Sequence, residues 1–304
     1  MAYLHSDREQ FRDAIDLAYE QTGVMVQAIE KDYYVTMLLR LLAQKMPYIV
    51  FKGGTSLSKC HKVIRRFSED IDITIDTLLS QGQKKKIKQA IVDSAQELGM
   101  TIENLDETRS RRDYNRYVIA YDSVIPMASD ALKAAVLLET SYTAVSFPTV
   151  LLPVHSYIGD MMEQEAPDAI EEYNLNPFEM KVQGIDRTLA DKVFAICDYY
   201  LQGKVAKHSR HLYDIYKLLP LVPQDENFRE LVKEVRAVRA QSVICPSALP
   251  EADVPELLEK IIRAKAYKQD YDSLTMQLLE ENVPYDTVIA ALKKVAESSL
   301  FENN

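Results

Sequence analysis

The spacing of apolar residues in the first half of the chain predicts helices and strands in alternation. Ser6, followed three residues on by Glu9, is the expected cap of a first helix that ends near Thr22. Two further stretches repeat apolar residues three and four apart, as buried helix faces do: 29–43 and 84–98. Strict alternation or short apolar runs predict strands at 48–51, 70–75, 116–121 and 134–141. The segments 101–107 and 150–154 are the expected partners of the last two strands.

From Asp186 onward the same pattern predicts helices alone. Asp186 is the expected N-cap of a helix to about 201, and Ser209 that of a helix to about 219. Three more helices are predicted to begin near residues 256, 271 and 287. The sequence therefore predicts an α/β (α+β) fold, a mixed sheet with flanking helices followed by a helical domain. The expected domains are 1–155 and 156–304, the second completing an active-site cleft.

Composition places the chain among soluble globular proteins. It has 304 residues, 47% of them hydrophobic, and its net charge of −10 argues against unspecific coating of nucleic acid, although a local basic cleft is compatible with it. No apolar run is long enough to span a membrane, and the start MAYLHSDREQF lacks the features of a secretion signal. Three widely separated cysteines fit a reducing compartment. A cytoplasmic protein without a membrane partner is therefore expected.

A pair of glycines is the first candidate for chemistry. The chain has only eight glycines, yet Gly53 and Gly54 are adjacent, between the strand at 48–51 and a short helix expected over 56–63. Glycines there let backbone N–H groups approach a ligand, and the start of a helix favours phosphate. No Walker-type GxxxxGK[ST] motif surrounds them.

Acidic residues in the next strand are the second candidate. Asp70 and Asp72 are two apart on a predicted strand, so both carboxylates leave the same face. Adjacent carboxylates repel unless a cation lies between them, and Mg²⁺ prefers such oxygen ligands. The alternative is an edge strand with solvated acids. A third carboxylate is expected from a neighbouring strand, with Glu139 as first candidate and Asp122 as second.

Basic residues cluster in two places where a polyanion could dock, although solvated faces are the alternative reading. The first cluster is Lys59, Lys62, Arg65 and Arg66, and the second runs over 204–217. Within the second cluster, Arg210 and Asp214 are four apart on a predicted helix and could form a surface ion pair. Lys192, on an apolar helix, could be a lysine that only reaches toward the surface.

Five motifs in order resemble the AbiEii/AbiGii nucleotidyltransferases, which are toxins of abortive-infection and toxin–antitoxin systems within the polymerase-β-like superfamily. They are EKDYYV at 30–35, FKGGTSL at 51–57, RFSEDIDI at 66–73, RTLADKV at 187–193 and RHLYDI at 210–215. His211 stands where relatives commonly carry an acid.

The resemblance implies roles for particular residues. Metal ions would be held by Asp70, Asp72 and Glu139, and the catalytic set would be completed by Lys192, Arg210 and Asp214. The nucleotide would be bound by Lys52, Gly53, Gly54, Thr55, Ser56, Arg66, Ser68 and Lys192.

The expected function is transfer of a nucleoside monophosphate from NTP to RNA, by resemblance tRNA, with release of pyrophosphate and two Mg²⁺ ions as cofactor. The resemblance also implies a growth-arresting toxin and a cognate antitoxin, often a repressor encoded beside it. Two alternatives stay open from the residues: the acceptor is a small molecule or a protein side chain, or the protein is a nucleotide-binding module without transfer activity.

Overall fold

The computed structural model describes residues 2–66, 68, 70–126 and 134–302. The chain forms two compact units. The first unit comprises Met1–His61 and Ser68–Gln183, and the second comprises Lys62–Phe67 and Gly184–Asn304. This division falls after Gln183 rather than near 155, because residues 178–183 form a strand of the first unit's sheet.

The first unit is built on a mixed sheet, for which seven strands are seen in the described residues. The strands are β1 (Ile49–Lys52), β2 (Ile71–Ile75), β3 (Thr101–Ile102), β4 (Tyr114–Ala120), β5 (Ala135–Val145), β6 (Thr149–Val154) and β7 (Phe178–Gln183). Their order across the sheet is β3-β4-β5-β2-β1-β7-β6. The β2–β5 and β1–β7 pairs are parallel, and the other neighbours are antiparallel. The predicted mixed sheet is therefore confirmed.

Strand β7 was missed by the sequence prediction, although its apolar residues Phe178, Met180 and Val182 alternate with polar ones. Its presence also corrects the predicted pairing of 150–154. That strand, β6, pairs along its whole length with β7. In the described structure β5 instead lies between β4 and β2.

Helices flank this sheet. They are α1 (Arg8–Thr22), α2 (Val26–Lys45), α3 (Gly53–Lys59), α4 (Gln81–Glu97), α5 (Tyr157–Glu165) and α6 (Pro167–Glu172). The cap of α1 is Asp7, whose carboxylate accepts from the backbone N–H of Glu9 and Gln10. Ser6 was the predicted cap, but it belongs to a 3₁₀ turn, and only Asp7 has the extended backbone that a capping residue needs.

The core of the first unit covers one face of the sheet and leaves polar side chains on the other. Ile71, Ile73 and Ile75 are fully buried and join a core formed with apolar residues of α1, α2 and α4. Because successive strand residues point to opposite faces, Asp72 leaves the other face. We call this the carboxylate face.

The second unit is helical, as predicted. Its helices are α7 (Ile185–Leu201), α8 (Arg210–Leu218), α9 (Glu226–Arg239), α10 (Val254–Ala264), α11 (Lys268–Asp270), α12 (Met276–Leu278) and α13 (Tyr285–Glu297). Helix α9 was not predicted. The residue before α7 is Gly184, so Asp186 lies inside the first turn instead of capping it. In the described residues no helix is both long and apolar enough for a membrane span.

Candidate active site

Four charged residues form one row across the middle of the sheet. Lys52 on β1 pairs with Asp72 on β2, Asp72 pairs with Glu139 on β5, and Glu139 pairs with Arg116 on β4. Residues that pair in register project from the same face of a sheet. The charged row therefore places two carboxylates side by side on the carboxylate face, with a cation at each end.

Gly53 is required by the position of Asp72. Its φ is +80°, a backbone conformation that favours glycine. A Cβ atom at this position would lie 1.9 Å from Oδ2 of Asp72. The carboxylate thus lies directly against the backbone where β1 passes into α3, and a side chain at position 53 would displace it.

Asp70 immediately precedes β2, two residues before Asp72, and carries an unsatisfied oxygen. Its Oδ1 is buried and has no hydrogen-bond partner among the described residues. A buried polar atom without a partner costs free energy, so it needs an explanation, and a bound ion is one such explanation. A cation bound by Asp70 and Asp72 would satisfy this oxygen, and the donor set suits a divalent ion.

Glu139 is turned toward β4. Its Oε1 lies 3.7 Å from Nε of Arg116, the residue directly opposite it. Partial burial and the hydrogen bond to Glu139 raise the pKa of the Tyr114 hydroxyl well above its ordinary value. In the part of the chain that the structure describes, no three acidic, histidine or cysteine side chains are gathered closely enough to hold a metal. The register thus aligns Glu139 with Asp72, while its carboxylate contacts Arg116.

Asp122, the alternative third carboxylate, lies elsewhere. Strand β4 ends at Ala120, and Asp122 follows this end, away from Arg116. Its exposed side chain forms an ion pair with Arg8 of α1. The structure therefore does not bring Asp122 together with Asp72, whereas the strand register does so for Glu139.

The segment after β1 has its hydroxyl groups arranged at short range. The hydroxyls of Thr55 and Ser68 lie 2.9 Å apart. Ser56 is fully buried and donates its hydroxyl to the carbonyl of Gly53, 2.9 Å away. Thr55 and Ser68 are thus brought together, while the Ser56 side chain stabilises the turn. Helix α3 begins at Gly53 itself, three residues earlier than predicted.

Lys59 is not part of an exposed basic cluster. It is buried, forms an ion pair with Asp32 of α2, and donates to the carbonyl of His155 at 2.6 Å. Asp32 also accepts the backbone N–H of Tyr157 at 3.1 Å. The EKDYYV motif therefore ties α2 to α3 and α5, and holds the turn that carries Gly53.

The second unit contains a buried ion network centred on Asp214. Arg66 donates to both oxygens of this carboxylate, at 2.7 and 2.9 Å, and Nζ of Lys192 lies 2.7 Å from its Oδ2. Burial alone would raise the pKa of Asp214, but the two cations hold it well below its ordinary value. Arg66, predicted to bind nucleotide, thus has its guanidinium engaged with Asp214.

The predicted Arg210–Asp214 ion pair is absent from the described structure. Asp214 is fully buried on α8, whereas Arg210 is half-buried at the first residue of that helix. The partner of Asp214 is Arg66, which lies 148 residues away in sequence. Helical spacing could indicate only the local partner.

His211 completes this network as a neutral acceptor. Its Nδ1 lies 3.2 Å from Nζ of Lys192, which donates to it. Burial, and then the Lys192 charge, lower the pKa of His211 well below its ordinary value. Its ring lies nearly parallel to that of Tyr199, which stacks at 3.5 Å on His208. Packing and charge thus both keep His211 unprotonated.

A mixed sheet with paired carboxylates beside a glycine turn is the architecture of a nucleotidyltransferase. The sequence model of the family described as "Nucleotidyl transferase AbiEii toxin, Type IV TA system" matches residues 36–292. The chain belongs to this family and is a nucleotidyltransferase toxin of a type IV toxin–antitoxin system. Membership implies an NTP substrate, a divalent metal and an antitoxin partner.

A solved structure supports the fold assignment. The chain resembles MenT4, a nucleotidyltransferase toxin from Mycobacterium tuberculosis H37Rv, with a TM-score of 0.50 and 15% sequence identity. The match covers 96% of this chain and 88% of that one. At this identity the likeness concerns the fold alone. A comparison with curated protein sequences gave no match. The predicted family, fold class and enzyme class are thus confirmed.

We predict that Gly53→Ala removes transferase activity while costing roughly 1 to 2 kcal/mol of stability, the strain of a left-handed non-glycine residue. The added Cβ displaces the Asp72 carboxylate. Gly23→Ala is the matched control, because Gly23 has φ +69° and nothing within 4 Å of an added Cβ. Activity assays and urea unfolding of both variants test this. Equal activity of the two variants would refute the role of Gly53.

The depressed pKa of His211 predicts a stability that falls as the solution becomes acidic. Below about pH 6.5, His211 is protonated in the unfolded chain but stays neutral in the folded protein. The free energy of unfolding therefore decreases as the pH falls. His208 contributes in the same direction. His211→Asn keeps an acceptor for Lys192 but cannot titrate, so its stability should fall less between pH 7.5 and 5. Urea unfolding at both pH values measures this difference, and identical slopes would contradict it.

Proposed function

We propose that this toxin transfers a nucleoside monophosphate from NTP to RNA, with tRNA as the acceptor and Mg²⁺ as the metal. The charged row carries the proposal, because it aligns Asp72 with Glu139 and places the Asp72 carboxylate against the glycine turn. Family membership supplies the transferase class. The RNA acceptor, the identity of the metal and its two-ion stoichiometry are proposals. The cytoplasmic location stays a prediction from the sequence.

Asp70 and Asp72 are proposed to hold Mg²⁺, with Glu139 as the third ligand. The orphaned Oδ1 of Asp70 and the close approach of Asp72 to Gly53 both fit a bound divalent ion. Bound Mg²⁺ supplies positive charge against the triphosphate. Glu139 would have to exchange its contact with Arg116 for the ion. The Arg116 contact, at 3.7 Å and partly exposed, is weak, and Glu139 would also give up its hydrogen bond from the Tyr114 hydroxyl.

The proposed reaction joins the acceptor to the α-phosphate. The acceptor's hydroxyl oxygen forms a bond to the α-phosphorus, the bond from that phosphorus to the oxygen bridging to the β-phosphate breaks, and pyrophosphate leaves with the electron pair. The hydroxyl proton passes to solvent water as the new bond forms. Lys52, Gly54, Thr55 and Ser68 are proposed to bind the triphosphate through a cation, backbone N–H groups and hydroxyls.

Two cations of the RTLADKV and RHLYDI motifs are proposed, from the family resemblance, to contribute to nucleotide binding. Lys192 and Arg210 would bind phosphates as cations. Asp214 would act through Lys192, whose ammonium it holds at 2.7 Å. His211 receives a second hydrogen bond from the same ammonium, which limits the directions in which Lys192 can donate. Arg66 would support this arrangement by neutralising Asp214 rather than by touching the nucleotide.

A smaller acceptor is the alternative that one observation favours. Two of the four cations of the first basic cluster, Lys59 and Arg66, are buried and paired with acids. Only Lys62 and Arg65 of that cluster are exposed. A small molecule or a protein side chain would need fewer exposed cations than RNA. A cognate antitoxin, often a repressor encoded nearby, is proposed for either acceptor.

We predict that Asp72→Asn abolishes transfer and leaves stability equal or higher. Neutralising Asp72 removes its repulsion with Glu139, the residue directly beside it on β5. Asp76→Asn is the control: Asp76 follows the same strand and pairs with Lys181, so its loss should cost up to ~1 kcal/mol and leave activity intact. Pyrophosphate release and thermal unfolding separate the two effects. Undiminished release by Asp72→Asn would overturn the proposed site.

We predict a steep dependence of RNA modification on salt, carried in part by the exposed Lys204 and Lys207. Changing both to Gln should flatten the slope of log rate against log salt by roughly 0.7 to 0.9 per lysine, and leave NTP affinity nearly unchanged. Changing Lys260 and Lys293, also exposed in the second unit, removes the same charge as a control. Label from NTP that enters only protein or small molecules would leave the alternative acceptor standing.

A further inference from the structure

Strand β4 presents an aromatic ring and a guanidinium on the carboxylate face. Burial alternates along the strand: Tyr114 and Arg116 are exposed, and Asn115 and Tyr117 are buried. Arg116 pairs with Glu139 and Tyr114 pairs with Ser141, so both exposed side chains project beside the carboxylates. Tyr114 is 51% exposed, and the Arg116 side chain is 53% exposed. The proposed reaction leaves both groups without a role.

The two ends of the charged row lie next to different groups. Lys52 and the glycine turn lie at its β1 end, where the nucleotide is proposed to bind, and Arg116 lies at its β4 end. In phosphoryl-type transfer the attacking and leaving oxygens are roughly in line through the phosphorus. If pyrophosphate leaves on the β1 side, the accepting hydroxyl must approach from the β4 side. Tyr114 and Arg116 are the exposed groups that meet it there.

The chemistry of these side chains fits the end of a polynucleotide. A tyrosine ring stacks on a base, and an arginine guanidinium matches a phosphate with two hydrogen bonds. The loop before β4 adds further exposed cations, and residues 109–116 hold four arginines and one aspartate in a chain of net charge −10. These arginines are Arg109, Arg111, Arg112 and Arg116. A small acceptor would need neither the ring nor the extended positive stretch.

We propose that Tyr114 and Arg116 form the acceptor subsite, in which the ring stacks on the last base of the RNA and the guanidinium binds a phosphate beside it. This inference rests on the proposed function. The weak contact between Arg116 and Glu139 is exchanged on binding, so that the guanidinium turns to the RNA and Glu139 turns to the metal ligands Asp70 and Asp72. The RNA thus binds Arg116 and the metal ion binds Glu139, the two side chains that contact each other in this structure.

The test compares full-length variants in transfer from labelled NTP to tRNA. Tyr114→Leu should raise the KM for tRNA about 5- to 150-fold, the range of one lost base stack, and Tyr114→Phe should keep it nearly unchanged. Arg116→Gln should raise the same KM and reduce its salt slope by about 0.7 to 0.9. The KM for NTP should change less than twofold in all three. Arg12→Gln, an exposed site on α1, is the charge-matched control.

The possible results distinguish failure of the acceptor subsite from failure of the proposed transfer to RNA. If wild-type protein labels tRNA and the Tyr114 and Arg116 variants leave the KM for tRNA unchanged, the subsite is refuted and the proposed function stands. A parallel rise in the KM for NTP, or a loss of thermal stability, would assign the residues a structural role and also refute it. If wild-type protein labels no RNA at all, the proposed function fails, and the subsite fails with it.

Discussion

Two carboxylates on neighbouring parallel strands, Asp72 and Glu139, are held in register by the ladder between β2 and β5. Like charges side by side on one face destabilise a sheet, so the fold keeps this pair only with compensation. Arg116 supplies part of it by taking up Glu139, and the glycine turn admits the Asp72 carboxylate against the backbone. The buried core on the opposite face fixes the register, because a shift by one residue would bury these acids. The candidate site thus depends on a repulsion that a divalent ion would relieve.

The second unit contains a buried carboxylate whose charge is compensated by neighbouring cations. Asp214 is a fully buried acid, and it is stabilised by Arg66 and Lys192 rather than left for a ligand. Removing one partner of such a buried pair usually destabilises a protein strongly, because the remaining charge stays uncompensated. Family motifs therefore mix two kinds of residue. Asp72 is proposed to hold a metal ion, whereas Asp32 and Asp214 hold lysines and an arginine within their own units.

The sequence predicted those features that depend on local spacing. Alternation identified β2, which begins at Ile71, one residue later than predicted, and the glycine pair marked the turn after β1. Ion pairs between residues far apart in sequence could not be predicted. Arg66 and Asp214 are separated by 148 residues, and helical spacing indicates only partners three or four residues apart. The position of Tyr114 and Arg116 beside Glu139 likewise follows from a strand register, which a single sequence does not contain. Strand β7 alternates clearly, yet its short length beside two helices concealed it.

The central proposal is that Asp70, Asp72 and Glu139 form one divalent-cation site. A crystal structure of the full-length protein with Mn²⁺ and a non-hydrolysable NTP analogue tests it most directly, because manganese gives an anomalous signal that locates the ion. We expect a manganese peak bound by Asp70 and Asp72, with the Glu139 carboxylate turned away from Arg116 and toward the ion. A manganese peak elsewhere, with Glu139 still on Arg116 and Oδ1 of Asp70 still unpartnered, would contradict it.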